Sequence, residues 1–251
     1  MEGYESHTYG DAFADVYDDW YRDLSDVTAL VDLLAEFSPG RNLCELGVGT
    51  GRLAIPLSEH GFKVTGVDSS SAMLDRLRSA DTECSISAVS GDMVDDMPSG
   101  PFDVVLIGFN TLFNLESHDR QQACLNKCSA ALTTGGIVVV EGLAPSSQPD
   151  GATIDDVSVK SMTATNVVLS ISRHHSADQL VEGQFVEFTE EHGVRLRPWS
   201  IRYSSVEQLD AMAGAAGLSV VARFADANGT AFDAMTGRHL TIYGRTAWRF
   251  E

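Results

Sequence analysis

The chain has 251 residues, 43% of them hydrophobic, with 36 Asp and Glu against 17 Lys and Arg and a formal net charge of −19. That is enough apolar material for one large domain, or a domain with an elaboration, and too much for global disorder. Without a basic cluster the chain cannot neutralise phosphates, so nucleic acid and anionic membrane are poor partners.

The N-terminus, Met1-Glu-Gly-Tyr-Glu, lacks a signal-peptide core, and no apolar run reaches the length of a membrane span; a cytoplasmic location is expected. Residues 8–22 are dense in aromatics. Phe13, Tyr17 and Trp20 follow helical spacing, with Tyr9 and Tyr21 beside them, which predicts an aromatic helix face. That face either packs its rings on the core or forms a lid over a ligand, and rings suit a cationic ligand. Ser25 and Asp26 offer caps for a second helix with Val27, Leu30, Val31, Leu34 and Phe37 as its buried stripe.

A short strand follows, Asn42 to Leu46, broken by three alternate glycines, Gly47, Gly49 and Gly51, and then by a helical pattern to about Glu59. Glycine is needed where backbone comes too close to a ligand for a Cβ, or takes positive φ. The helix N-terminus behind the loop attracts negative charge. A dinucleotide site has G-x-G-x-x-G; here the spacing is G-x-G-x-G, with Arg52 where the third glycine would stand. Glu45, two residues before Gly47, repels a pyrophosphate and can accept from an amine. The loop therefore suits a zwitterionic amino-acid tail better than a diphosphate, which disfavours a nicotinamide dehydrogenase.

Further segments repeat the strand-then-helix pattern. Lys63 to Val67 is a strand ending in Asp68, Cys84 to Ser90 a third strand before Gly91-Asp92-Met93, and Phe102 to Ile107 a fourth. The loop after the fourth, Gly108-Phe-Asn-Thr-Leu-Phe-Asn-Leu115, leaves the carboxyl edge of a parallel sheet, where ligands bind. Residues 119–131 read as a helix, and Leu132 to Glu141 as a fifth strand. Cys44, Cys84, Cys124 and Cys128 show no disulfide spacing, and nothing completes a metal set around Cys124 and Cys128, so no metal is expected.

After Gly151 the pattern changes. Val157 to Met162, Asn166 to His174, Gln179 to Phe188 and Val194 to Arg202 read as an inserted antiparallel sheet carrying His174, Arg197, Trp199 and Tyr203. A helix from Ser205 to Ala216 returns the chain to the core, and Leu218 to Phe224 with Leu240 to Tyr243 closes it.

The motif Glu45-x-Gly47-x-Gly49-x-Gly51, followed in order by Asp68, Gly91-Asp92-Met93 and the fourth and fifth strands, resembles the class I S-adenosylmethionine (SAM) methyltransferases. The spacing Tyr9…Tyr17-Asp18 resembles the amino-sugar N-methyltransferases among them. The resemblance implies an α/β, Rossmann-like sheet with the inserted antiparallel sheet as a substrate roof. It divides the chain into a helical lid (1–38), a SAM-binding core (39–148), the insert (149–204) and a return to the core (205–251). It implies SAM as cofactor, held by Tyr9, Tyr17, Glu45, Gly47, Gly49, Gly51, Asp68 at the ribose, Ser69, Met73, Gly91, Asp92 and Met93 at the adenine, and Phe109. Tyr17, Asn110 and Glu141 are the catalytic candidates. Tyr9, Trp20, Tyr21, Asn110, Phe113, Glu141, His174, Arg197 and Tyr203 are the substrate-binding ones. The expected activity is methylation of a small molecule, at nitrogen, in specialised metabolism. Alternatives are C- or O-methylation of an aromatic or indole acceptor, a non-catalytic SAM-binding protein, and the dehydrogenase.

Overall fold

Three helices open the chain in the computed structural model, which describes residues 1–21, 24, 26–145 and 151–245. α1 (Thr8–Phe13) and α2 (Tyr17–Tyr21) replace the single helix expected over residues 8–22. The break between them lets the rings close on one another. Tyr9 stacks on Phe13 at 4.4 Å and Trp20 meets the same ring edge-on at 6.0 Å. α3 (Val27–Phe37) starts at Asp26, whose carboxylate accepts the Ala29 N–H, and buries Leu30, Val31, Leu33 and Leu34. Ser25, the other expected cap, lies outside the described residues.

The core alternates strand and helix: β1 (Asn42–Leu46), α4 (Ala54–Glu59), β2 (Lys63–Asp68), α5 (Ser71–Ala80), β3 (Ser87–Ser90), β4 (Phe102–Ile107), α6 (His118–Ala130) and β5 (Leu132–Leu143). These five strands pair in parallel in the order β3-β2-β1-β4-β5. Both faces are covered, which is why the central strands read as near-continuous apolar runs. Leu30, Leu34, Leu57 and Leu74 pack on one face, Cys124, Leu125, Cys128 and Leu209 on the other. β3 is shorter than expected because the Asp81 carboxylate takes the Ser85 and Ile86 N–H groups at 3.0 and 2.9 Å, away from any ladder.

Between β5 and the end of the core the chain forms a second, antiparallel sheet from β6 (Thr153–Met162), β7 (Asn166–His175), β8 (Leu180–Thr189) and β9 (Gly193–Arg202), β6 starting four residues before its expected start and the others shifted by one. α7 (Val206–Ala215) then starts with a capping box between Ser205 and Gln208. β10 (Leu218–Phe224) and β11 (Arg238–Arg245) complete the main sheet, order β10-β11-β5-β4-β1-β2-β3, with β11 antiparallel to both neighbours. The fold is therefore the expected doubly covered α/β sheet with an antiparallel insertion. No helix among the described residues is long and apolar enough to cross a membrane.

Arg197 on β9 fastens the first helices to the insert. Its guanidinium is buried, donating to Asp15 Oδ1 at 2.6 Å, the Ala12 carbonyl at 2.5 Å and Glu187 Oε2 at 2.8 Å, and lies 5.5 Å over the Trp20 ring. On the core side, Ser70 Oγ donates to Asp11 at 2.6 Å and Thr50 Oγ1 to Asp18 at 2.6 Å. The N-terminal helices are thus bolted to the glycine loop, the α5 terminus and the insert together.

Candidate active site

The ends of β1, β2, β3 and β4 share one edge of the sheet, because β1 pairs in register with β2 and β4, and β2 with β3. At that edge Gly47, Gly49 and Gly51 all take positive φ, +71°, +55° and +87°. A Cβ on Gly47 would overlap the Thr111 methyl, and one on Gly51 the Leu77 side chain. The two glycines therefore serve different ends: Gly47 borders the ligand space, while Gly51 lets the loop pack on the core. The Gly49 N–H donates to Asp68 Oδ2 at 2.8 Å, and the Ser70 N–H to Asp68 Oδ1 at 2.9 Å. Each oxygen keeps a second lone-pair direction for a ligand.

Glu45 is 4% exposed and its Oε2 has no hydrogen-bond partner among the described residues. Burial pushes its pKa up to about 8 against the pull of the nearby Arg52 guanidinium. A buried acceptor left open at the head of a glycine loop is the arrangement that a ligand ammonium completes.

Gly47 and Asp68 open onto a cavity of about 310 Å³. Its floor comes from Ser69, Met73, Asp92, Met93 and the loop Phe109–Thr111. Its roof comes from Tyr9, Tyr17 and Tyr21 of α1 and α2 and from Phe185, Trp199 and Ile201 of the insert. The roof rings touch one another and the floor: Tyr9 meets Tyr17 edge-on at 6.5 Å, and Tyr21 lies 5.8 Å from Phe109. Burial raises the hydroxyl pKa of all three tyrosines, that of Tyr17 to about 12. They are neutral phenols at pH 7.

The solved methyltransferase CcbJ of Streptomyces caelestis is 36% identical to this chain, covers 97% of it and 100% of its own length, and superposes with a TM-score of 0.89. The chain belongs to the SAM-dependent methyltransferases. The methyltransferase-domain family model matches its residues 43–136, from the strand before the glycine loop into the fifth strand. Among curated relatives, the cypemycin N-terminal methyltransferase of a Streptomyces species is 31% identical over 135 residues, 53% of this methyltransferase and 55% of that protein. The chain spans little more than half the length of the curated relatives it matches. The SAM-bound amino pentose methyltransferase CalS10 of Micromonospora echinaspora shares the fold, with a TM-score of 0.68 at 22% identity over 98% of this chain and 100% of that one. SAM is the cofactor, and the site fits it. Gly47 leaves bare backbone at the cavity, Glu45 presents an open buried acceptor, and Asp68 presents a carboxylate on the cavity wall.

The residues expected from sequence fall into three groups. Tyr9, Tyr17, Tyr21, Gly47, Asp68, Ser69, Met73, Asp92, Met93, Phe109 and Asn110 line the cavity together. Glu45, Gly49, Gly51 and Gly91 support that wall from behind; the Gly91 N–H donates to the Asp68 carbonyl at 3.0 Å. The Asp92 carboxylate accepts from Val94, Asp95 and Arg120, all on Oδ1, so among the described residues its Oδ2 stays open.

The third group requires correction. Arg197 is not a substrate contact: it is sealed in its ion pairs with Asp15 and Glu187. Phe113 is 1% exposed in the core, packed against Gly142. Glu141 is off the cavity wall; its Oε2 accepts the Phe109 N–H at 3.1 Å and its carbonyl the Asn110 N–H at 3.0 Å, so it holds the loop. Asn110, at φ +62°, spends its side-chain oxygen on the Leu143 N–H at 2.7 Å. His174 and Tyr203 bond each other at 2.9 Å, and Trp20 packs between Phe13 and Phe185, all outside the lining. The Lys160 ammonium rests on the Trp20, Tyr21 and Phe185 rings at 4.9, 5.3 and 5.3 Å. Sequence reasoning missed Ser6, Phe185 and Ile201 as lining residues; Phe185 was findable only as an inward position on a strand whose facing was unknown.

Glu45 makes the site pH-sensitive. Its folded pKa lies above its unfolded value, so between about pH 4.5 and 8 the folded state keeps a proton that the unfolded chain has lost. Stability without cofactor therefore falls as pH rises through that window. Binding of a cationic ammonium favours the carboxylate, so cofactor binding at pH 6.5 is expected to release a proton. Calorimetry in buffers of different ionisation enthalpy measures that release, and Glu45→Gln should remove it.

Proposed function

We propose that this methyltransferase methylates a nitrogen of a small-molecule amine in specialised metabolism. The observation that carries this reading is a cavity wall without a competent base. Its phenols are held neutral by burial, and the lone pairs that Asp68 and Asp92 keep after accepting backbone N–H groups are those assigned to the ribose and the adenine, away from the acceptor. Among the described residues no histidine, lysine or arginine lines it. An amine that arrives neutral attacks without a base, whereas a hydroxyl or an indole carbon needs a proton acceptor. The names of two relatives agree: one is an N-terminal methyltransferase, and another acts on an amino pentose.

SAM supplies an activated methyl group on a sulfonium. The protein's work is to orient and to exclude water. Glu45 and the Gly47 backbone hold the amino-acid tail, Asp68 orients the ribose hydroxyls, and Asp92 Oδ2 with the Met93 N–H reads the adenine. Tyr9, Tyr17, Tyr21 and Phe109 keep the reacting space dry and offer ring faces to positive charge. Tyr17 and the Asn110 amide NH₂ position the acceptor, and Phe185 and Trp199 form its outer wall.

A screen with methyl-labelled SAM across small amines, phenols and indoles tests the reading, with the methyl located by NMR. Label is expected in amines, on nitrogen. Label confined to phenols or indoles would overturn it.

A further inference from the structure

β6 is an edge strand of the second sheet, and its register against β7 shifts between Val159, opposite Leu169, and Ser161, opposite Val168. Lys160 is the extra residue. A bulge of this kind interrupts the ladder and re-aims a side chain. Here the ammonium goes to aromatic rings. It lies 4.9 Å from the Trp20 ring centroid and 5.3 Å from those of Tyr21 and Phe185. Burial lowers its pKa, with no carboxylate charge to offset that. Its only ring-bound position is thus sustained by the rings themselves, in a chain with 36 Asp and Glu against 17 Lys and Arg.

A lysine on an edge strand ordinarily repels other strands, and does so extended into water. That role needs no rings. Holding the long side chain still costs rotamer entropy, which attraction between the ammonium and the rings offsets. What the contact holds is the least anchored part of the roof. α2 has five residues, none of them fully buried. Asp18 is tied to Thr50, and Arg197 lies over the Trp20 ring. Tyr21, the last residue of α2, has ring contacts with Tyr17 and Phe109. Tyr21 and Phe185 line the cavity, and Trp20 meets Phe185 edge-on at 5.5 Å. One ammonium therefore joins a cavity ring of α2, a cavity ring of the insert and the ring packed against it.

We propose that Lys160 is a positioning residue for the methyl acceptor: its ammonium draws Trp20, Tyr21 and Phe185 together and so sets the width of the acceptor's space. This role rests on the placement above of the acceptor against Phe185 and Trp199. It separates from cofactor binding, because Glu45, Gly47 and Asp68 belong to the sheet edge below, and the rings that Lys160 holds belong to the roof.

Two measurements test this. The chain has three lysines, Lys63, Lys127 and Lys160, so lysine labelled with carbon-13 at Cε gives three signals by NMR. The Lys160 methylene protons are expected upfield of the other two pairs, shifted by the ring currents. Steady-state kinetics then uses labelled SAM and whichever amine, phenol or indole takes most label in the screen. Lys160→Met should raise the acceptor KM by about tenfold, with kcat within about twofold and SAM affinity unchanged. Lys160→Arg keeps a cation for the rings and should recover most of the loss. An unshifted Lys160 signal overturns the proposal, as does a Lys160→Met protein with the wild-type acceptor KM. So does a Lys160→Arg protein no better than Lys160→Met. The nitrogen reading fails separately, through where the methyl lands, since the KM comparison holds for any acceptor.

Discussion

Asp68→Ala is expected to lower SAM affinity by about two to four orders of magnitude. The estimate follows from two ribose hydroxyls donating to a charged acceptor, each bond contributing about 1.5–3 kcal/mol. The carboxylate is preorganised: the Gly49 and Ser70 N–H groups fix both oxygens before any ligand arrives. Removing it also strands those two donors, so the variant should unfold several degrees lower while keeping its fold. Calorimetry with SAM reads the first effect and thermal unfolding the second. SAM affinity unchanged in a folded Asp68→Ala protein would refute the ribose assignment.

Arg197→Met is expected to be the most damaging single change outside the cavity, at about 3 kcal/mol of stability. Breaking a buried ion pair by removing one partner costs about 3–5 kcal/mol. The lower end applies because the Asp15 side chain is 37% exposed and keeps Arg195 as a partner. The loss should be greatest near neutral pH. Burial, the largest single influence, pushes the Asp15 and Glu187 carboxyls up, but the hydrogen bonds and charge of Arg197, with Arg195 helping at Asp15 and Asn166 at Glu187, together hold both below their ordinary values. Groups with depressed folded pKa values contribute stability above their unfolded pKa, and lose it as pH falls through the folded one. Urea unfolding at pH 7 should therefore separate wild type from variant widely, and the gap should narrow below about pH 4. An equal gap at pH 3 and pH 7 would show that Arg197 contributes packing rather than charge.

The core was readable because its signals are local. Gly47, Gly49 and Gly51 follow a strand within five residues, and Asp68 ends the next strand at the same sheet edge, so periodicity and turn chemistry alone place them together. Arg197 was unreadable for the opposite reason. Its partners Asp15 and Glu187 are distant in sequence or on another strand, and a lone arginine among β residues carries no mark of whether it points to ligand, solvent or carboxylate. Asn110 lines the cavity while Glu141 stands behind the loop that carries it. Sequence could not show that one serves the Phe109 and Asn110 backbone and the other has already spent its oxygen on Leu143. The strand pattern of the insert was legible, but which face meets the cavity depends on packing against α1, a tertiary contact.

The most direct test of the cofactor site is a crystal structure with S-adenosylhomocysteine bound. The predicted complex has the amino-acid tail at Glu45 and the Gly47 backbone, the ribose hydroxyls on Asp68, and the sulfur facing the space between Tyr17, Phe109 and Asn110. Nucleoside density elsewhere on the protein, or a cavity closed over by its own side chains in the saturated crystal, would contradict it.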